Sequence, residues 1–236
     1  MYLNKLLIIS NCIIFIFLSS FSFSADDIST PSKYQVTMSK LELCTSSDCS
    51  DATVLTNTST SFNIASASAG ADVGSWINSF ELEIGKTYTH IRSTINSTFT
   101  IAGYTTNSSI SSSYCVTESS PNTAASHNTA PIVDGSNSIT TEDMSWVIPN
   151  EADADNGSFY GDLSSDFSSN SITKTNDSST FYWVGTLANS YTPNINSAPK
   201  ITISFDVANQ LRSQQAGADT CYMYVLPPTV SVSLTD

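Results

Sequence analysis

Ile201-Thr202-Ile203-Ser204-Phe205-Asp206-Val207 alternates apolar and polar residues without a break. Side chains of a strand point to opposite faces in turn, so this stretch reads as a strand with one face in a core and one in water. A helix would need its apolar residues three and four apart. The same period recurs downstream. Cys221, Met223 and Val225 alternate with Tyr222, Tyr224 and Leu226; Pro227-Pro228 breaks the ladder; Val230, Val232 and Leu234 form a terminal strand.

Upstream the pattern continues. Tyr34, Val36 and Met38 share one face, then the phase shifts to Leu41 and Leu43, which predicts a bulge near Ser39-Lys40. Phe80, Leu82 and Ile84 alternate with Glu81 and Glu83 as a half-buried strand, and Gly85-Lys86 makes a turn. Thr87 to Ile101 reads as one long extended stretch, with Ile91 and Ile95 on one face and Tyr88, His90 and Arg92 on the other. Tyr114 to Thr117, Met144 to Ile148 and Thr180 to Leu187 are further strands. Helix is scarce: Ala208 to Ala216 has the composition for one or two turns ending at Gly217, and the Ala/Ser/Gly-rich Ala65 to Trp76 for a short turn. The expectation is an all-β, antiparallel β-sandwich of about 9–11 strands with long Ser/Asn/Thr-rich loops.

The first 25 residues have the three parts of a secretory signal: Lys5, an apolar run from Leu6 to Leu18, and a small-residue stretch ending at Ala25. The apolar run is short for a membrane span, which needs about 20 residues. Residues 1–25 are therefore expected to be a cleaved signal peptide, with no membrane span after cleavage, and residues 26–236 a single β-sandwich domain. Within it, about 118–179 forms a loop-rich insertion, because its few apolar anchors, Trp146, Val147, Ile148, Phe159 and Tyr160, cannot build a separate core. The protein is expected to be secreted, periplasmic or at the cell surface.

The chain carries 21 acidic and 8 basic residues, a formal charge of −13. Such a surface repels nucleic-acid phosphates and anionic lipid headgroups, so nucleic acid is excluded as a partner. Polarity rests mainly on hydroxyls and amides, which leaves few salt bridges to form. Stability must then come from ladders, packing and cross-links.

After the leader, four cysteines remain: Cys44, Cys49, Cys115 and Cys221. An even number in an exported chain suggests two disulfides, and four cysteines permit three connectivities. The favoured pairing is Cys44–Cys49, pinching a short loop at a strand end, with Cys115–Cys221 closing a long one. A zinc site competes, but only the first pair has the spacing such sites favour.

Phe62-Asn63-Ile64-Ala65, Ala69-Gly70-Ala71 and Ile84-Gly85-Lys86-Thr87-Tyr88-Thr89-His90-Ile91-Arg92 follow the opening strand Tyr34 to Cys44. This order resembles a family of secreted bacterial β-sandwich domains of unknown function. The resemblance covers about residues 34–101 and, more weakly, 201–232. It implies an exported sandwich of prealbumin-like or immunoglobulin-like build in a bacterium, and it carries no catalytic residues.

Catalytic chemistry is thinly supplied. The two histidines, His90 and His127, have no recognisable companions; no G-x-S-x-G, P-loop, H-E-x-x-H or dinucleotide fingerprint is present. The expectation is no enzyme. The candidate metal site is Glu151, Asp153, Asp155 and Asp162, at positions one, three, five and twelve of a loop that departs from an EF-hand in its glycine position and its flanks. It would take Ca2+; an acidic solvated loop is the plainer alternative. Tyr182, Trp183, Tyr222 and Tyr224, with Tyr104, would make a ligand-contact patch for a glycan or protein if they share an exposed face. The function expected is an exported structural, adhesive or surface protein, assembling with further copies through its terminal strand. The alternative is a carbohydrate- or ligand-binding module, calcium-stabilised.

Overall fold

The structure, a computed structural model, describes residues 27–66, 81–119, 129–136, 138–150, 163–197 and 199–236. The leader, its cleavage point and His127 lie outside these residues.

The fold is all-β and sandwich-like. The described residues hold sixteen strands, more than the expected 9–11 because many are only two to five residues long. The larger sheet is built around β2 (Lys33–Cys44), which pairs antiparallel with β5 (Tyr88–Asn96) and β6 (Thr98–Ala102). Two short strands, β3 (Ala52–Thr56) and β4 (Thr60–Asn63), also pair with β2. Beyond β6 lies β10 (Met144–Val147). Beyond β5 come β12 (Thr180–Tyr191), β16 (Thr229–Thr235) and β13 (Lys200–Asp206), with β11 (Ile172–Thr173) hung on β12. This is the ten-stranded sheet.

The smaller sheet has six strands in the order β1 (Asp27–Ser29), β14 (Leu211–Gln215), β15 (Thr220–Val225), β9 (Thr129–Asp134), β8 (Ser113–Val116) and β7 (Tyr104–Thr106). Its two end strands approach each other: Ser29 Oγ donates to the Tyr104 carbonyl at 2.5 Å, and the Ser108 amide donates to Asp27 Oδ2 at 3.0 Å. The sheet is thus curled nearly shut.

Among the described strands the chain passes between the sheets at five corners: β1 to β2, β6 to β7, β9 to β10, β13 to β14 and β15 to β16. At the second corner Gly103 has φ +155°, and a Cβ there would stand 2.7 Å from Leu211 Cδ2. Only glycine fits that bend. The predicted disulfides are both present. Cys44–Cys49 closes the loop after β2, and Cys115–Cys221 ties β8 to β15, the two neighbours of β9.

The bulge foreseen near Ser39-Lys40 appears as a register shift between Met38 and Lys40 against β5. It lets Tyr34, Val36 and Met38 face the core on one phase and Leu41 and Leu43 on the other.

Several elements differ from the sequence reading. Residues 81–87 form no strand: Glu83 and Lys86 close a turn with Gly85 at φ +81°, Ile84 is 69% exposed, and Lys86 bridges Asp51 and Glu83. Phe80 and residues 67–76 lie outside the described residues. The segment 87–101 is two strands, divided at buried Ser97, whose amide and hydroxyl donate to the carbonyls of Ser179 and Ser178. Residues 208–216 are not helical; a turn through Asn209 leads into β14, where Leu211 and Ser213 are buried. Pairing with β1 and β15 overrides the helical composition there. One short helix, α1 (Leu163–Ser169), was not foreseen.

The terminal strand β16 is not an edge. It pairs antiparallel with β13 over seven residues and meets β12 in parallel at Leu187–Val232. Both its sides are occupied, so the terminal strand cannot be the element that receives a neighbour. The insertion at 118–179 feeds both sheets, with β9 in the smaller and β10 and β11 in the larger.

Candidate apolar cavity

The inward face of β2 places Tyr34, Val36, Met38 and Leu41 beside Ile95 of β5 and Phe99 of β6. Opposite stand Tyr224, Val225 and Leu226 at the end of β15, followed by Pro227-Pro228 at the corner. Between them is a cavity of about 80 Å3.

Aromatic rings build one end. Phe99 stacks on Trp146 of β10 at 5.7 Å and 27°, meets Phe181 of β12 edge-on at 6.0 Å, and lies 5.7 Å from Tyr34. Phe167 of α1 and Ile172 of β11 also line the space. Ile203 and Phe205 of β13 and Val230 of β16 close another side. The wall residues Trp183, Phe205, Val230, Pro227 and Pro228 are only half-buried, so they form a rim toward solvent.

Polar groups are few. Tyr34 donates its hydroxyl to the Leu226 carbonyl at 3.3 Å, and burial pushes its phenol well above the usual tyrosine range. It therefore stays protonated and neutral. Ser93 Oγ turns to the Lys40 carbonyl at 3.5 Å. The buried indole N–H of Trp146 has no hydrogen-bond partner among the described residues. None of the described lining residues is Asp, Glu, His, Lys, Arg or Cys. Such walls can hold an apolar guest by burial; they offer no acid, base or nucleophile pair.

Trp183 takes its place through Gly185, two residues on along β12. A Cβ on Gly185 would stand 2.3 Å from Trp183 Cη2, so the indole lies across the bare glycine backbone.

The opposite, outer face of β2 and β5 carries an ion cluster. Glu42, 3% exposed, receives Arg92 Nε at 2.7 Å and Lys40 Nζ at 2.7 Å. Burial alone would raise the Glu42 carboxyl. The hydrogen bonds and charges of Arg92 and Lys40 outweigh it and hold the group below the ordinary glutamate value. Arg92 also lies over the Tyr182 ring at 5.6 Å.

The residues expected to form an aromatic contact patch do not share a face. Tyr182 is exposed on the outer side with Arg92, while Trp183 and Tyr224 line the cavity. Tyr222 is half-buried on the smaller sheet, and Tyr104 pairs edge-on with Tyr114 at 5.6 Å. The calcium candidates Glu151, Asp153, Asp155 and Asp162 lie outside the described residues, and among the described residues no group of three His, Cys, Asp or Glu could hold a metal ion. No described helix is long and apolar enough to cross a membrane.

Fold and cavity together define an all-β, disulfide-linked sandwich with an apolar hollow between its layers. No protein-family model matches the chain, and no characterised protein or solved structure is detectably similar to it.

Proposed function

We propose that this chain is an exported, non-enzymatic binding protein that holds a slender apolar molecule, or the alkyl part of a larger one, between its two sheets. One observation carries the reading: a cavity of about 80 Å3 walled almost wholly by aromatic and aliphatic side chains, with a half-buried rim. A native core normally packs with few voids larger than a water molecule. A dry apolar cavity of about 150 Å3 takes up benzene, so a smaller, partly open one suits a narrow alkyl chain. The two disulfides and the signal-like leader agree with export.

The test is titration of the oxidised mature protein with 1-decanol, followed by indole fluorescence, since Trp146 and Trp183 both line the space. A saturable change that disappears in Ile203→Trp, which fills the cavity, supports the reading. A signal that stays flat up to the solubility of the alcohol removes it.

A second reading, a structural or adhesive surface subunit, is favoured by the seven-residue β13, which among the described residues pairs on one side only.

A further inference from the structure

Sheet ends with unpaired backbone groups invite another strand, and proteins usually shorten, bend or cover them. Among the described residues, the strands that pair on one side only are β3, β4, β10, β11 and β13 in the larger sheet and β1 and β7 in the smaller, and all but β13 are two to five residues long. β10 is four residues long and Pro149, which has no N–H to give, follows two residues later. β1 and β7 are three residues each and are tied to one another through Ser29 and Tyr104.

β13 is the exception. It is seven residues long, lacks proline and glycine, and matches β16 over seven successive positions with no bulge. Its sequence is also complementary to itself. Set antiparallel against a second copy with Ile203 on the two-fold axis, Lys200 faces Asp206, Ile201 faces Phe205 and Thr202 faces Ser204. Charged ends oppose, apolar inner-face residues match, and hydroxyls match on the outer face. Each of these cross-strand pairs is of a favourable kind. Parallel pairing in register would set Lys200 against Lys200 and Asp206 against Asp206. A one-residue slip would set inward residues against outward ones.

We propose that two copies of this chain join edge to edge through β13, antiparallel about a two-fold axis at Ile203, into one continuous sheet. The contact is isologous and closes on itself, so it gives a dimer and not a fibre. It does not depend on the cavity: a chain that pairs in this way need hold no ligand. The net charge of −13 opposes association at low ionic strength, whereas at physiological salt the screening length is about 8 Å and only the directly opposed groups still feel each other.

Sedimentation equilibrium of the oxidised mature protein in 0.15 M salt, over a range of concentrations, tests the pairing. Lys200→Asp and Asp206→Lys each create two like-charge oppositions and should each weaken the dimer about fivefold. The combined K200D/D206K protein restores opposite charges and should recover the parent constant. Both residues are exposed, and Asp206 also accepts a hydrogen bond from the Ala208 amide at 2.9 Å, so denaturant unfolding of each variant is followed alongside to show that a weaker dimer is not a misfolded monomer. Separately, an equal mixture of Thr202→Cys and Ser204→Cys proteins should oxidise to a mixed disulfide dimer in preference to either like pair. A monomer at every concentration, equal constants in all four charge proteins, or no preference for the mixed cross-link overturns the proposal.

Discussion

Trp183 lies across Gly185, close enough that a single added methyl on the glycine would sit 2.3 Å from the indole ring. The glycine has no positive φ to justify it. Its role is the space it leaves for a cavity wall. Gly185→Ala should push the indole toward the cavity, with an overpacking cost of about 1–3 kcal/mol. Denaturant unfolding would show the cost, and 1-decanol binding should weaken in the same protein. Unchanged stability and binding would mean that the ring has another place to go.

At the corner between β6 and β7, Gly103 combines a φ of +155° with the close approach of Leu211. Gly103→Ala should destabilise by about 2 kcal/mol or more through backbone strain and the clash together. Combining it with Leu211→Ala relieves only the clash, so the double-mutant cycle should show a favourable coupling. Additive costs would show that the two residues do not press on each other.

The disulfides should be unequal. Cys115–Cys221 spans 106 residues and Cys44–Cys49 spans 5. In the chain-entropy picture the long closure is worth up to about 4.7 kcal/mol and the short one clearly less. Unfolding of the C115A/C221A and C44A/C49A proteins by denaturant checks the order; a larger loss from the short loop would reverse it.

Glu42 fixes an acid limb of stability. Its carboxyl is held below the ordinary glutamate value in the folded protein, so the unfolded chain binds the proton more readily. The contribution is fully present above the unfolded value, about pH 4.3, and is lost as pH falls through the lower folded value. Glu42→Gln should cost about 1–3 kcal/mol at pH 7, since Arg92 and Lys40 are partly solvated, and should flatten the fall in unfolding free energy between pH 5 and 3. An acid limb unchanged in the glutamine protein would place the titrating group elsewhere.

Much of the fold was legible in the sequence because a period of two is a local signal. Ile201 to Val207, Cys221 to Leu226 and Val230 to Leu234 each became the strand their alternation describes. The phase slip at Ser39-Lys40 became a bulge, and the favoured cysteine pairing formed. The failures share a cause. Leu211 to Gln215 has a helical composition, but Leu211 and Ser213 are buried between β1 and β15, a contact no local window contains. Leu82 and Ile84 alternate correctly yet sit in a turn-bound loop tied down by Lys86.

The cavity was less visible still. Tyr34 and Tyr224 lie far apart in the chain and meet only through the sheet stacking. Trp183 cannot share a face with Tyr182, because the pleat sends adjacent side chains to opposite faces. Tyr224 lies two residues from Tyr222, and what buries it is its place at the end of β15, where the other sheet covers it. The glycine two residues after Trp183 was the signal that could have placed the indole.

The most direct measurement is diffraction from crystals of the oxidised protein under xenon pressure, because xenon enters dry apolar cavities and reports their position. The account predicts anomalous density between the sheets, bounded by Tyr34, Phe99, Trp146 and Ile203. Density in which side chains fill that space, with no xenon bound there, would contradict it.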